Sequence, residues 1–129
     1  MGYGMRKPIL RGWLDTRRRE RDNNRGSTME TSAPVVEVDV ELADLIPQYI
    51  SNRWADLEFA RQLLAKRDFK LLARMAHRIK GSAASYGFIG LGDIAATLET
   101  VAEKEDAEAS AAALTQYDAF LRAVRIEYI

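Results

Sequence analysis

The chain holds one histidine, His77, and no cysteine. The missing thiols exclude disulfides, a thiolate metal site and a thiolate nucleophile. The histidine stands in the run HRIKGSAASYG, His77 to Gly87, with Lys80 three residues on and small residues around it. On a helix each residue advances about 100°. With Leu72 at zero, Ala76, Ile79 and Ala83 fall within about 40° of it and form a buried stripe, whereas His77 falls near 140°. The imidazole is therefore expected at the surface.

Its helical neighbours bear on what it does there. Ala73 and Gly81, four residues to either side, and Ala84 one turn further leave the ring accessible and admit the backbone of another protein. Arg74 and Lys80, three residues to either side, add positive charge. An exposed imidazole with small neighbours and nearby cations suits the acceptance and holding of a phosphoryl group, with Lys80 placed to contact its oxygens. An idle histidine on a solvated helix face has much the same surroundings, so the spacing alone leaves both readings open.

Other chemistry is poorly represented. There is no Gly-rich phosphate loop or ATP-binding pattern, so the chain is not expected to be a kinase or other stand-alone enzyme. One histidine without a Glu-x-x-His pair counts against a metal site inside a helical bundle. No cofactor and no metal are expected.

The elements that position His77 read as helices. ELADLIPQYISNRWADLEFARQLLAKRD, from Glu41, carries apolar residues at steps of three and four: Leu42, Leu45, Ile46, Tyr49, Ile50, Leu57, Ala60 and Leu64. Pro47 opens this helix near its first turn or kinks it away from a short leading helix. Asp68 caps the next helix, which runs through FKLLARMAHRIKGSAAS and ends at Gly87. A third spans roughly Leu91 to Lys104. A fourth, capped by Asp106, has the stripe Leu114, Tyr117, Phe120, Leu121, Val124 and Tyr128. Only VVEVDV, residues 35–40, alternates with period two, as an extended entry strand or linker. Long helices with short connections predict an all-α, antiparallel up-and-down four-helix bundle.

The 129 residues fit one domain with a tail. Residues 1–34 carry eight basic and four acidic residues, net +4; residues 35–129 are net −4. The tail lacks apolar periodicity and is expected to be disordered. METSAPVVEVDV, from Met29, reads like a natural beginning, so residues 1–34 are taken as an upstream start or vector-derived sequence. The other reading is an arm that touches acidic partners or nucleic acid. A mildly acidic body does not read as a nucleic-acid-binding domain. No apolar run approaches the ~20 residues of a membrane span. The N-terminus lacks the apolar stretch of a signal peptide, and Arg6 breaks the myristoylation pattern. A cytoplasmic monomer is expected.

Beyond these physical readings, AHRIKGSAASYGFIGLGDIAATLE, Ala76 to Glu99, resembles the signature of histidine-containing phosphotransfer (HPt) domains. The likeness lies in His77, Lys80, Gly81, the following small residues, Gly87, and Leu98 with Glu99. It extends more loosely over Val40 to Tyr128, and RDFKLLARMAH fits the family's approach to its histidine. The resemblance implies a four-helix phosphorelay carrier with His77 as phosphoacceptor, Lys80 as electrostatic support and Gly81 as clearance. Glu99 matches the position of a Gln or Glu on the neighbouring helix that bonds the ring. About 100° from its own helix's stripe, it is expected at the bundle's flank, where accepting from one ring nitrogen would leave the other free to attack. A solvated charge or a partner for Lys80 is the alternative. The implied partners are receiver domains of a response regulator and of a hybrid sensor histidine kinase. They would dock on Ala73, Arg74, Gly81, Ala84, Phe88 and Ile89 and on exposed parts of the first long helix, although Phe88 and Tyr86 also suit the core. A non-phosphorylated helical adaptor is the competing function.

Overall fold

The computed structural model describes residues 33–129. The readings made for residues 1–32 of the N-terminal tail lie outside these residues, whereas Pro34, also assigned to the tail, accepts from the Arg125 amide at 2.9 Å and belongs to the domain. Four helices dominate: α1 (Ile46–Ala65), α2 (Phe69–Tyr86), α3 (Ile89–Glu103) and α4 (Ala107–Ala123). Each packs against its two neighbours, closing α1–α2–α3–α4 into an antiparallel bundle. A short strand β1 (Val35–Val38) and a 3-10 turn (Val40–Leu45) precede α1, and a strand β2 (Arg125–Tyr128) follows α4.

The helix boundaries follow from local chemistry. Asp68 Oδ1 accepts from the Leu71 amide at 3.2 Å, and Asp106 Oδ1 from the Ala109 amide at 3.0 Å. Each satisfies one of the amides that a first turn leaves unpaired. Pro47 sits in the first turn of α1, where its missing N–H costs nothing. Gly87 ends α2 with φ +85°, and a Cβ there would lie 3.0 Å from the Glu37 carbonyl oxygen. Glycine thus meets two demands at this corner: a left-handed turn and the close passage of β1.

Leu72, Ala76, Ile79 and Ala83 of α2 are all buried, as the angular count predicts. The core is completed by Leu57 and Leu63 of α1, Leu91 and Leu98 of α3, and Leu114 and Tyr117 of α4. At the end holding the α2–α3 turn, Tyr49 packs against Tyr86 and Phe88, with ring centroids 4.4 and 5.1 Å away.

Three expectations are corrected, and the open start of the third helix is fixed. The fourth helix stops at Ala123, because Val124 turns to extended backbone and Arg125–Tyr128 pair in parallel with β1. Val124 and Tyr128 therefore belong to no helical stripe. The third helix begins at Ile89, one half-turn before Leu91, with Phe88 at its cap. Leu45 lies on the 3-10 turn and is exposed, while Leu63, absent from the predicted stripe, is buried. The stripe's polar gap is filled by Arg53, which is itself buried.

No helix among the described residues is long and apolar enough to cross a membrane.

Candidate functional site

His77 lies midway along α2, and its side chain is 69% exposed. Helix α3 runs antiparallel beside it and brings Glu99, 22 residues away in sequence, to the same level. Glu99 Oε2 lies 2.9 Å from His77 Nδ1. The other carboxylate oxygen, Oε1, accepts from Lys80 Nζ at 2.9 Å. Both partners weighed for Glu99 are therefore realised at once: one carboxylate bridges the ring and the ammonium.

This bridge determines the tautomer. The hydrogen bond from Lys80 holds the Glu99 carboxyl below the usual carboxylate range. Burial opposes it, and the hydrogen bond from His77 adds to it. Glu99 is then an ionised acceptor with no proton to give, so Nδ1 must be the donor. A neutral ring held in this way carries its lone pair on Nε2. Nε2 has no hydrogen bond among the described residues.

The surroundings of the ring divide. Arg74, Gly81 and Ala84 are exposed on the same side of α2. A Cβ on Gly81 would meet nothing within 4 Å. Nothing among the described residues therefore requires glycine there, although glycine in mid-helix costs about 1 kcal/mol relative to alanine. Ala73 is buried in the core, not presented on the surface. Phe88 is also wholly buried, because it closes the aromatic end of the bundle against Tyr49 and Phe120. Neither can line a docking surface. The exposed apolar residue at that corner is Ile89.

A second polar group escaped sequence reasoning. Arg53, on α1, donates through Nε to Asp56 Oδ2 at 3.0 Å and through a terminal nitrogen to Ser82 Oγ on α2 at 3.2 Å. Its guanidinium also lies over the Tyr49 ring, 4.5 Å from the centroid. Its backbone carbonyl accepts from Tyr117 Oη at 2.9 Å. These bonds tie α1 to α2 and α4 around the helix that carries His77. The available signal was positional: Arg53 follows Ile46 and Tyr49 at helical spacing, on the face that turns inward.

Among the described residues no group of three or more His, Cys, Asp or Glu is placed to hold a metal ion.

Comparison with family models matches the Hpt domain over residues 44–127. The chain belongs to the Hpt domain family. Neither the comparison with curated proteins nor that with solved structures returned a match. Hpt domains are the phosphotransfer modules of two-component systems and interact with receiver domains; they are phosphocarriers without a kinase activity of their own. The match spans all four helices of this Hpt domain and both sides of the His77–Glu99 pair.

Proposed function

We propose that this Hpt domain is a cytoplasmic, monomeric phosphorelay carrier that takes a phosphoryl group on His77 and passes it on. The observation that carries the reading is the 2.9 Å contact between Glu99 and Nδ1 of an otherwise exposed ring. The donor is a phospho-aspartate on a receiver domain of a hybrid sensor histidine kinase. The acceptor is an aspartate on the receiver domain of a response regulator.

In the forward step the Nε2 lone pair attacks phosphorus, the acyl-phosphate P–O bond breaks, and the aspartate leaves as carboxylate. The proton on Nδ1 stays in place, so the product ring is a phosphorylated imidazolium facing the Glu99 carboxylate. That carboxylate stabilises the charge as it forms, and its fixed position costs no reorganisation during the step. Lys80 lies one turn from His77 and supports the phosphoryl oxygens electrostatically. Gly81 and Ala84 clear the approach of the receiver, and Arg74 flanks it. The receiver supplies the remaining chemistry, so no cofactor is required of this chain.

The test is transfer from phosphorylated receiver domains to the native protein and to His77→Gln. An acid-labile phosphoprotein that forms with the native chain and not with the variant supports the carrier. No transfer from any receiver encoded in the same genome would overturn it in favour of a binding-only adaptor.

A further inference from the structure

The charge on this domain is sorted by helix. α2 contains Lys70, Arg74, Arg78 and Lys80 and no acidic residue, a net +4. The other residues of 33–129 carry seven basic and fifteen acidic side chains, a net −8. Helical geometry arranges part of the positive charge as a ridge. Lys70, Arg74, His77 and Gly81 fall within about 60° of one another around the axis, along about 16 Å of its length. All four are exposed. Arg78 and Lys80 are engaged by Asp56 and Glu99, at 3.8 and 2.9 Å. Lys70 and Arg74 make no ion pair among the described residues, so their charge is presented outward on the N-terminal side of the ring.

We infer that α2 docks a receiver domain whose apposed face carries an acidic rim, and that Lys70 and Arg74 select for that rim and speed its approach. The inference rests on the phosphorelay reading above and adds the charge of the partner and the residues that read it. Two cations that make no ion pair among the described residues, set beside a phosphoacceptor, attract a local acidic patch. The net −8 of the rest of the domain repels an extended polyanion such as duplex DNA or an anionic bilayer. Charges at the edge of an interface act mainly on association rate and on its salt dependence, and they penalise partners of the wrong sign. The surface is therefore a filter among receivers of similar shape.

The experiment measures phosphotransfer between the full chain and each receiver domain of the same genome, as kcat/KM at rising ionic strength. Native protein is compared with the double variant Lys70→Glu/Arg74→Glu and with Arg125→Glu, a reversal on the exposed strand β2. Phosphoramidate, a small donor that needs no docking, phosphorylates His77 directly with release of ammonia and reports on the ring alone.

The expected result is a native rate that falls with salt and a double variant slower by roughly tenfold or more with a flattened salt dependence. Arg125→Glu should be unaffected in both assays, and the double variant should lose far less of its phosphoramidate rate than of its receiver rate. Equal rates and equal salt dependence for native and double variant would overturn the inference while leaving the carrier intact. Native protein that phosphoramidate labels but no receiver serves would overturn the carrier and this inference together. Saturable binding of native protein to phosphatidylserine vesicles or duplex DNA at physiological salt, lost in the double variant, would overturn the protein partner in favour of a polyanion.

Discussion

Glu99 Oε2 and His77 Nδ1 stand 2.9 Å apart, and the same carboxylate holds Lys80 through its other oxygen. The acceptor role of Glu99 puts the ring proton on Nδ1, so Nε2 is the nucleophile only while this contact lasts. Glu99→Gln keeps the shape but replaces an obligate acceptor with a group that also donates. The variant should fold normally and accept phosphate roughly ten- to a hundredfold more slowly. Nitrogen NMR of the ring distinguishes orientation from mere damage: native protein shows Nδ1–H, and the variant shows a mixture of tautomers. A variant with native tautomer and native rate would defeat the argument.

The acid behaviour of the same site has a definite sign. The folded pKa of Glu99 is depressed from its ordinary 4.5, chiefly by Lys80. Its contribution to stability is therefore fully present above that ordinary value and is lost as pH falls through the lower folded one. A carbon NMR titration of the Glu99 carboxyl should show its inflection below 4.5. Lys80→Met should move that inflection upward more than His77→Gln does. The reverse ranking would mean that the ring, not the ammonium, holds the carboxylate.

Gly81 separates folding from function. A Cβ there meets nothing within 4 Å, so Gly81→Ala should stabilise α2 by about 1 kcal/mol. The melting temperature of a domain this size would then rise by about 4–8 °C. Gly81→Leu should also fold, yet slow transfer from receivers while phosphoramidate labelling stays unchanged. Calorimetry and the two phosphorylation assays together check both halves.

Two buried polar sites predict opposite signs. Ser110 Oγ is buried without a hydrogen-bond partner among the described residues. Ser110→Ala removes a desolvated hydroxyl and should raise stability by about 1 kcal/mol. Asp56 pairs with Arg53 at 3.0 Å, with both side chains largely shielded from water. Asp56→Ala leaves that guanidinium uncompensated and should cost about 3 kcal/mol. Urea denaturation of the two variants beside the native chain tests the contrast.

The legible and illegible parts of this molecule divide by the range of the interactions involved. The buried stripe of α2 and the exposure of His77 follow from a local angular count, because a regular helix converts sequence spacing directly into direction. The caps at Asp68 and Asp106 are equally local. The ladder of β1 with β2 joins segments about ninety residues apart. Arg125 to Tyr128 carries no glycine or proline to announce the break, and Val124 and Tyr128 are spaced four apart as readily for a helix as for a strand. Arg53 lay at an inward position, but its charge argued for the surface; Asp56 and Tyr49 stand beside it on its own helix, whereas Ser82 comes from α2 and is supplied only by the assembled bundle. Phe88 and Ile89 show the limit at a corner. Both are apolar and adjacent, yet one is wholly buried and the other is 70% exposed. Pattern does not decide between neighbours once the chain leaves helical geometry.

The parallel pairing of Val35–Val38 with Arg125–Tyr128 has a mechanical consequence. In a parallel ladder the first residue of one strand and the last residue of the other lie at opposite ends. Tension applied through Val35 and Tyr128 therefore shears the strands along their length and loads the ladder's hydrogen bonds together. An antiparallel pair pulled at its open end would instead release them one by one, like a zipper. Such a clasp resists a pull along its own axis far better than its few bonds suggest, and it shields the helices behind it until it gives way in a single event.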